Sequence, residues 1–276
     1  MRLLPADRKR RRGFDVEKSK LLDRIGAEGD ERLALARILD KLDQSEKRSA
    51  PVCTDFLTPQ EQARAAELLR LAEAQAPCFS GGYDGAERKM LLFLPDWMEP
   101  ESAVFPLRYL RASFRPEYKL THRDILGSLM GLGIVREKVG DLLVGESGCD
   151  LVVAESVADF LLQNWTGAGR ANLSVGEVRA DCLHIPAQRC EEVRDTVSAL
   201  RLDAVAAAGF RLSRGKAAAL IESGKVEVNW RECMKPDRQL AQGDTVTARG
   251  LGKLTLAQVG GVTRKGRISL VIQRWI

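Results

Sequence analysis

Cationic side chains are concentrated near the end of the sequence, where together they could neutralise the phosphate groups of a polyanion. Fourteen of the 43 Lys and Arg residues lie between positions 199 and 276, against only six of the 38 Asp and Glu residues. This uneven charge favours a polyanionic partner for the last part of the chain. The alternative is a basic surface that binds no partner. The cations between 201 and 250 are Arg201, Arg211, Arg214, Lys216, Lys225, Arg231, Lys235, Arg238 and Arg249.

Two of these cations occupy unfavourable positions. Ser213 is a good N-cap, so a helix is predicted to begin at the next residue. Arg214 and Lys216 then fall in its first turn, where exposed backbone N–H groups disfavour a cation by about 0.3–1 kcal/mol. A phosphate would reverse that sign by accepting from the amides and the guanidinium together; the alternative is that both side chains turn into solvent. We expect Arg201 and Arg211 to converge on this helix end, without carboxylate partners.

Other strings that could carry chemistry have simpler interpretations. His122-Arg123-Asp124 matches the start of a protein-kinase catalytic loop, but Leu129 stands where that loop requires Asn, and a helix cap explains the string better. The Gly-rich stretch 80–85 lacks the Lys-Ser/Thr of a phosphate-binding loop and predicts a turn. With only two histidines in the chain, His-based acid–base catalysis has few candidates.

The six cysteines predict reduced thiols rather than a disulfide framework. None lies in a Cys-x-x-Cys pair, and such frameworks belong to short secreted chains. Cys182, His184 and Cys190 come nearest to a metal cluster, but their spacing fits no structural zinc pattern and no fourth ligand is evident. We therefore predict no metal site and no cofactor.

Length and composition set the general class. The 276 residues, 45% of them hydrophobic, suffice for two or three domains with apolar cores, and they exclude a fully disordered chain. No stretch of 18 uncharged apolar residues occurs, so no membrane span is predicted. The first residues also lack the pattern of a secretory signal or transit peptide. We predict a cytoplasmic protein.

The N-terminal region is predicted to be helical. The run Arg8-Lys9-Arg10-Arg11-Arg12 indicates a solvated arm, with nucleic-acid contact as the alternative. Apolar residues recur at helical spacing between positions 33 and 42. The string Thr58-Pro59-Gln60-Glu61 forms a capping box, which predicts a second helix that ends near Pro77.

The middle of the chain predicts a compact α+β domain. Thr121 caps one helix and Trp165 lies near the end of another. Tyr109 and Phe114 lie on opposite faces of their strand, which favours a core or docking role over base stacking. Trp97, Trp165 and Trp275 are predicted to be buried or half-buried. The predicted strands cover 90–94, 107–114, 142–144, 150–153 and 172–178.

The last part of the chain predicts two short helices followed by strands. The helices cover 200–208 and 213–223, and Gly224 ends the second one. The predicted strands cover 226–228, 245–249, 253–259 and 268–272.

A long, ordered motif in this last part resembles the S-four-type RNA-binding domain, a small module named after a ribosomal small-subunit protein. The motif comprises Arg201-Leu202-Asp203, Arg211-Leu212-Ser213-Arg214-x-Lys216-Ala217, Ile221-x-x-Gly224-x-Val226-x-Val228-Asn229 and Gly243-Asp244. Trp230 departs from it, since Gly usually follows the Asn of such hairpins. Arg201-Leu202-Asp203 is also similar to the catalytic string of pseudouridine synthases, but the small module fills the chain after it. We therefore predict that Asp203 is a helix-start residue.

Upstream motifs resemble the bacterial YlmH family. They are Gly81-Gly82-Tyr83-x-Gly85-Ala86-Glu87-Arg88-Lys89, Leu120-Thr121-His122-Arg123-Asp124-x-Leu126-Gly127-Ser128 and Gly131-Leu132-Gly133-Ile134-x-Arg136-x-Lys138-x-Gly140-Asp141. The resemblance covers roughly residues 55–276 and implies an α+β protein in three parts. The parts are a helical N-terminal region (1–77), an RRM-like α+β middle domain (78–184), and a small S-four-type (αL-motif) RNA-binding domain with C-terminal strands (185–276).

The same resemblance implies a function. Family members associate with the large ribosomal subunit, and some act in ribosome-associated quality control, where they hold peptidyl-tRNA while alanine tails are added to stalled chains. It implies a non-enzymatic, monomeric factor that binds ribosomal RNA and tRNA by shape and backbone contacts, with no small-molecule substrate. The positions that match the RNA-contacting helices are Arg201, Arg211, Ser213, Arg214 and Lys216, with Lys225 and Arg231 as further phosphate contacts.

Two alternative functions remain open from the sequence. One is an RNA-modifying enzyme that uses the module only as an anchor, with Asp124 or Asp141 as catalytic candidates in the middle domain. The other is a protein-interaction factor at the division site, because older descriptions link the family to cell division.

Overall fold

The chain folds into two compact units that divide between Pro186 and Ala187. The structure, a computed structural model, describes residues 17–95, 97–186 and 190–275. Its mixture of helices and antiparallel sheets confirms the predicted α+β class. The basic run at 8–12 lies outside the described residues.

Helices pack on a small sheet at the start of the first unit. The helices are α1 (17–24), α2 (Gly29–Arg48) and α3 (Pro59–Leu71). Strands β1 (Val52–Cys53), β2 (Cys78–Ser80) and β3 (Met90–Phe93) form an antiparallel sheet in the order β1-β3-β2. Apolar residues of all three helices and the sheet share one buried cluster, which includes Leu22, Leu35, Leu68 and Leu91.

The predicted start of α3 is confirmed, whereas its predicted end is wrong. The Thr58 hydroxyl accepts the Glu61 N–H, and the Glu61 carboxylate accepts the Thr58 N–H, so the capping box is complete. The helix ends at Leu71 rather than near Pro77, and Glu73 shortly after it has a left-handed φ of 53°. A residue in that conformation cannot continue a right-handed helix.

A second sheet with two helices follows in the order βαββαβ. Its elements are β4 (Leu107–Ser113), α4 (His122–Gly131), β5 (Val139–Val144), β6 (Gly148–Ala154), α5 (Glu155–Asn164) and β9 (Ser174–Val178), with a small hairpin of β7 (Gly167–Ala168) and β8 (Ala171–Asn172) inserted before β9. The four strands are antiparallel in the order β5-β6-β4-β9, with α4 and α5 packed on one face. The predicted strand at 90–94 is therefore real, but it belongs to the first sheet. The boundary predicted at 77–78 stays a prediction, although β2 and β3 pair within one sheet with β1, which precedes it.

One carboxylate ties the loop between β2 and β3 to strand β5. Asp141 Oδ2 accepts from Tyr83 Oη at 2.8 Å and from the Glu87 N–H at 2.7 Å, and Asp141 Oδ1 accepts from the Arg88 N–H at 3.0 Å. The buried Arg88 guanidinium donates to the carbonyl oxygens of Val139 and Phe56, each at 3.1 Å. The glycine-rich motif is thus a structural loop fixed by Asp141.

The second unit is a six-stranded antiparallel sheet with two helices on one face. Its elements are β10 (Cys190–Val197), α6 (Leu202–Gly209), α7 (Arg214–Glu222), β11 (Val226–Val228), β12 (Arg231–Glu232), β13 (Thr245–Ala248), β14 (Gly252–Val262) and β15 (Ile268–Trp275). The strand order is β10-β15-β14-β13-β11-β12. Both helices bury their apolar residues against this sheet, notably Leu202, Ala217 and Ile221.

Two tryptophans lie in a loop or a turn rather than in a helix or a strand. Trp97 is 69% exposed, so the prediction that it is buried or half-buried is wrong; it lies in a loop where its indole N–H donates to the Ser49 carbonyl at 3.1 Å. Trp230 takes the usual Gly position of a two-residue turn between β11 and β12, and both Asn229 and Trp230 have positive φ of 51° and 58°. The tight turn therefore forms despite the bulky residue.

We expect Asp141→Asn to lower the free energy of unfolding by about 1–3 kcal/mol, because an amide NH₂ would face N–H donors that now bond a carboxylate. Asp84→Asn, an exposed change in the same loop, should change it by less than about 0.5 kcal/mol. Urea unfolding of both variants measures the difference. Equal stabilities would contradict the role given to Asp141.

Candidate functional site

Helices α6 and α7 bring two of the predicted RNA-binding arginines to one end of the helix pair. Arg201 is the N-cap residue of α6, and Arg214 is the first residue of α7. Between the helices, Arg211 has a left-handed φ of 56°, which turns the chain from the end of α6 toward α7. Arg201 and Arg214 therefore lie side by side although thirteen positions separate them.

One buried carboxylate holds both guanidinium groups. Arg201 donates from Nε to Asp203 Oδ1 at 3.1 Å and from Nη2 to Oδ2 at 3.0 Å. Arg214 donates from Nε to Asp203 Oδ2 at 3.1 Å and from Nη2 to Oδ1 at 3.3 Å. Asp203 is only 4% exposed, whereas the Arg201 and Arg214 side chains are 36% and 53% exposed. The cluster thus has its anion inside and two cations outside. We call Arg201, Asp203 and Arg214 the arginine pair cluster.

The arginine pair cluster corrects one expectation and confirms another. Convergence of Arg201 and Arg214 is confirmed, but the expectation that these guanidinium groups have no carboxylate partner is wrong. Burial alone raises the pKa of Asp203, yet the bonds from Arg201 and Arg214 outweigh burial and hold that pKa below its ordinary value. The carboxylate is therefore charged near neutral pH, and the cluster carries a net charge of about +1. The remaining N–H groups of both guanidinium groups stay available to an outside acceptor.

Arg211 is held by a different carboxylate. Its guanidinium pairs with Glu191 of β10, so this side chain lies along the edge strand of the sheet. It does not join the cluster around Asp203, so the expected convergence of Arg211 with Arg201 is wrong. Here too, the expectation of an arginine without an acidic partner is wrong.

The two helix N-termini differ in whether they could receive an anion. At α6, the Leu202 and Asp203 N–H groups already donate to the carbonyls of Arg238 at 2.8 Å and Pro236 at 2.9 Å. At α7, Ser213 Oγ accepts the Lys216 N–H at 3.3 Å, as predicted for an N-cap. The Lys216 side chain is exposed beside it.

Lys225 and Arg231 lie away from this cluster. Lys225 follows the far end of α7, about 14 Å from its start for a helix of nine residues. Arg231 lies on β12, the last strand of the sheet at the edge opposite β10. The structure therefore groups Arg201, Ser213, Arg214 and Lys216, and places the other candidates apart.

In the first unit, the sheet face on which an RRM binds bases is covered. Tyr109 and Val152 are paired across β4 and β6, and Phe56 and Met90 pack on this face. The Tyr109 hydroxyl donates to the Gly82 carbonyl at 3.0 Å. A Cβ at Gly82 would lie 2.8 Å from Tyr109 Cε1, so the loop must have glycine there to come this close. Tyr109 thus has the predicted core or docking role, and Phe114 is buried on the other face.

The other end of the same face is closed by an ion pair and a loop. Arg111 donates to both oxygens of Asp150 at 2.6 Å and to the Cys182 carbonyl at 2.7 Å. The Asp150 carboxylate also accepts the His184 N–H at 2.6 Å. Cys182 and His184 therefore contribute backbone groups to these bonds, a carbonyl oxygen and an N–H respectively. Across 17–95, 97–186 and 190–275, no three His, Cys, Asp or Glu side chains are placed to hold a metal ion.

In the part of the chain that the structure describes, every helix is too short or too polar to cross a bilayer.

Comparison with protein families matches three successive segments. Residues 30–96 match the model "YlmH, N-terminal", residues 100–181 match "Putative RNA-binding domain in YlmH", and residues 200–246 match "S4 domain". A protein of Bacillus subtilis is 38% identical over 222 residues, which cover 80% of this chain and 86% of the relative. The chain belongs to the YlmH family. That relative is named "Ribosome-associated protein quality control protein P2".

A solved structure is also similar to part of this YlmH-family chain. It is titled "Cell division protein ylmH from Streptococcus pneumoniae", is 21% identical, and covers 55% of this chain and 93% of its own, with a TM-score of 0.49.

Sequence reasoning missed two features of this family member's C-terminal unit. The organising role of Asp203 was not foreseen, because only the fold brings Arg214 to the residue beside Arg201. The basic turn between β14 and β15, with Arg264, Lys265 and Arg267, lies between two predicted strands and carries no prediction of its own. A Gly within a basic run could have indicated it as an exposed hairpin turn.

We expect Asp203→Asn to lower the free energy of unfolding at pH 7 by about 1–3 kcal/mol, because two guanidinium groups lose their shared charge. Folding lowers the pKa of Asp203, so its contribution is present above the ordinary carboxyl pKa and is lost as the pH falls through the folded pKa. The variant should therefore lose less stability than wild type from about pH 5 downward. Urea unfolding as a function of pH measures this. The exposed Glu222→Gln is the control, and an acid dependence equal in all three proteins would contradict the assignment.

We expect Tyr109→Phe to lower the free energy of unfolding by about 0.5–1.5 kcal/mol through loss of its hydrogen bond to Gly82. Tyr109→Leu, which removes the ring as well, should bind RNA with the affinity of wild type, because the ring packs inside the unit and cannot stack on a base. Titration of a labelled single-stranded RNA tests this. A clear loss of affinity in the folded variant would show that the sheet face binds RNA after all.

Proposed function

We propose that this YlmH-family protein is a non-enzymatic, monomeric cytoplasmic factor that binds ribosomal RNA and tRNA on the large ribosomal subunit. In this proposal it stabilises stalled peptidyl-tRNA during ribosome-associated quality control. RNA-binding domains and a relative named for ribosome-associated quality control support the general role in RNA binding at the ribosome. The residues proposed to contact RNA are Arg201, Arg211, Ser213, Arg214, Lys216, Lys225 and Arg231.

The observation that carries the proposal is the arginine pair cluster. Two like charges would separate if nothing held them, but Asp203 fixes Arg201 and Arg214 side by side with their outer N–H groups exposed. Less side-chain entropy is then lost when a phosphate binds. Guanidinium groups bind phosphate oxygens through parallel N–H donors. The cluster therefore suits the backbone of folded RNA, where phosphates follow one another closely.

The neighbouring start of α7 adds to this anion-binding surface. Lys216 is exposed in the first turn, and a Cβ at Gly215 would meet no atom within 4 Å, so an RNA backbone can approach closely there. Within the described residues, the backbone N–H groups of Arg214 and Gly215 donate to no protein acceptor. A phosphate at this position would bond amides and guanidinium together.

The carboxylates that could serve an enzyme are engaged in structural bonds, which supports a role without catalysis. Asp124 accepts from the Thr121 N–H at 2.9 Å and from the Thr121 hydroxyl at 2.6 Å as a helix cap. The Thr121 bonds lower the pKa of Asp124. Asp141 accepts three bonds from the loop before β3, and both Asp203 oxygens bond arginines.

A neutral replacement of the cluster tests the proposal. The triple variant Arg201→Gln, Asp203→Asn, Arg214→Gln removes both cations without leaving a buried charge unpaired. We expect its affinity for purified large ribosomal subunits to fall at least tenfold. The slope of log affinity against log salt should fall by about 1.4–1.8, for two lost phosphate contacts.

The control is Arg179→Gln with Arg194→Gln, two exposed arginines paired with neighbouring carboxylates. It should bind nearly as wild type does, and circular dichroism should show both variants folded. Unchanged binding by the folded triple variant would refute the proposed site.

A further inference from the structure

A basic hairpin turn projects from the second unit outside the segment that matches the S4 domain. Strands β14 and β15 are joined by residues 263–267, which are closed by the Thr263 N–H donating to the Arg267 carbonyl at 2.7 Å. Gly266 has a φ of 72°, as this turn requires. Arg264, Lys265 and Arg267 are all exposed. Among the described residues, none of these three cations has a carboxylate within ion-pair distance.

Arg267 is fixed in place without being neutralised. Its Nε donates to Thr196 Oγ1 at 2.9 Å, and its Nη2 donates to the Thr196 carbonyl oxygen. Both acceptors are uncharged, in contrast to the carboxylate partners of Arg201, Arg211 and Arg214. The fold therefore positions a full positive charge at the base of the hairpin turn.

A groove links this arginine to the arginine pair cluster. It has a volume of about 310 Å³, and both Arg214 and Arg267 line it. The wall from α6 consists of the small residues Ala204, Ala207 and Ala208, which leave room for a sugar–phosphate backbone. Asp195 is the acidic residue of the lining; its carboxylate accepts the Thr196 N–H at 2.6 Å.

We propose that the hairpin turn is a second RNA-contacting element: Arg267 binds a phosphate in the groove beside Arg214, and Arg264 and Lys265 bind the phosphates that follow. This proposal rests on the proposed function, which it extends to a surface outside the S4 segment. Its ligand is the backbone of structured RNA, since point charges and guanidinium groups along a groove recognise phosphates irrespective of base.

The test uses the full chain, a fluorescein-labelled RNA stem-loop and fluorescence anisotropy over a series of salt concentrations. Arg264→Gln with Lys265→Gln removes two exposed charges that make no bond the fold needs. We expect the slope of log affinity against log salt to fall by about 1.4–1.8. Affinity at about 0.1 M salt should fall about 25- to 60-fold, because two contacts no longer release counterions.

The control is again Arg179→Gln with Arg194→Gln, which changes the net charge equally. The proposal is overturned if the hairpin variant binds as the control does while the triple variant of the arginine pair cluster loses affinity; the proposed function then stands. If the triple variant also binds as wild type does, the proposed function fails as well. A hairpin variant that binds the stem-loop normally, but large subunits weakly, would assign the turn to a ribosomal protein and overturn the RNA assignment.

Discussion

A single buried carboxylate organises the proposed RNA-binding surface of this protein. Asp203 is almost inaccessible to solvent, yet both its oxygens accept bonds from guanidinium groups that reach the surface. Without that anion, Arg201 and Arg214 would repel each other and sample many rotamers. With it, they are held as a rigid pair whose outer N–H groups face outward. Asp203 neutralises only one of the two guanidinium charges. Because it also restrains both arginine side chains, less side-chain entropy is lost when a phosphate binds.

The first unit differs from an RRM at the sheet face that would contact RNA. Its βαββαβ sheet has RRM topology, but other parts of the same unit cover the face that an RRM uses. Phe56 and Met90 pack on this face, and Tyr109 of β4 bonds the Gly82 loop there. This covering agrees with the charge distribution, because the cationic excess lies in the second unit. RRM topology alone therefore does not establish that the sheet face binds RNA.

Local features of the fold were predictable from sequence, whereas tertiary pairings were not. The capping boxes at Thr58 and Thr121 depend on residues three positions apart, and both are present. The sequence does not predict strand β10, because half of its residues are charged and it occupies a sheet edge with little apolar alternation. The bonds from Arg214 to Asp203 were also missed, since eleven residues and a helix turn separate them. The predicted start of α7, by contrast, is correct, and it places Arg214 in the first turn of that helix.

The most direct test of this account is a cryo-electron microscopy reconstruction of the full chain bound to the large ribosomal subunit. The account predicts that RNA phosphate oxygens lie about 3 Å from the outer guanidinium nitrogens of Arg201 and Arg214, while both arginines keep their bonds to Asp203. A reconstruction in which the start of α6 and α7 faces solvent, and other surfaces contact the RNA, would contradict it.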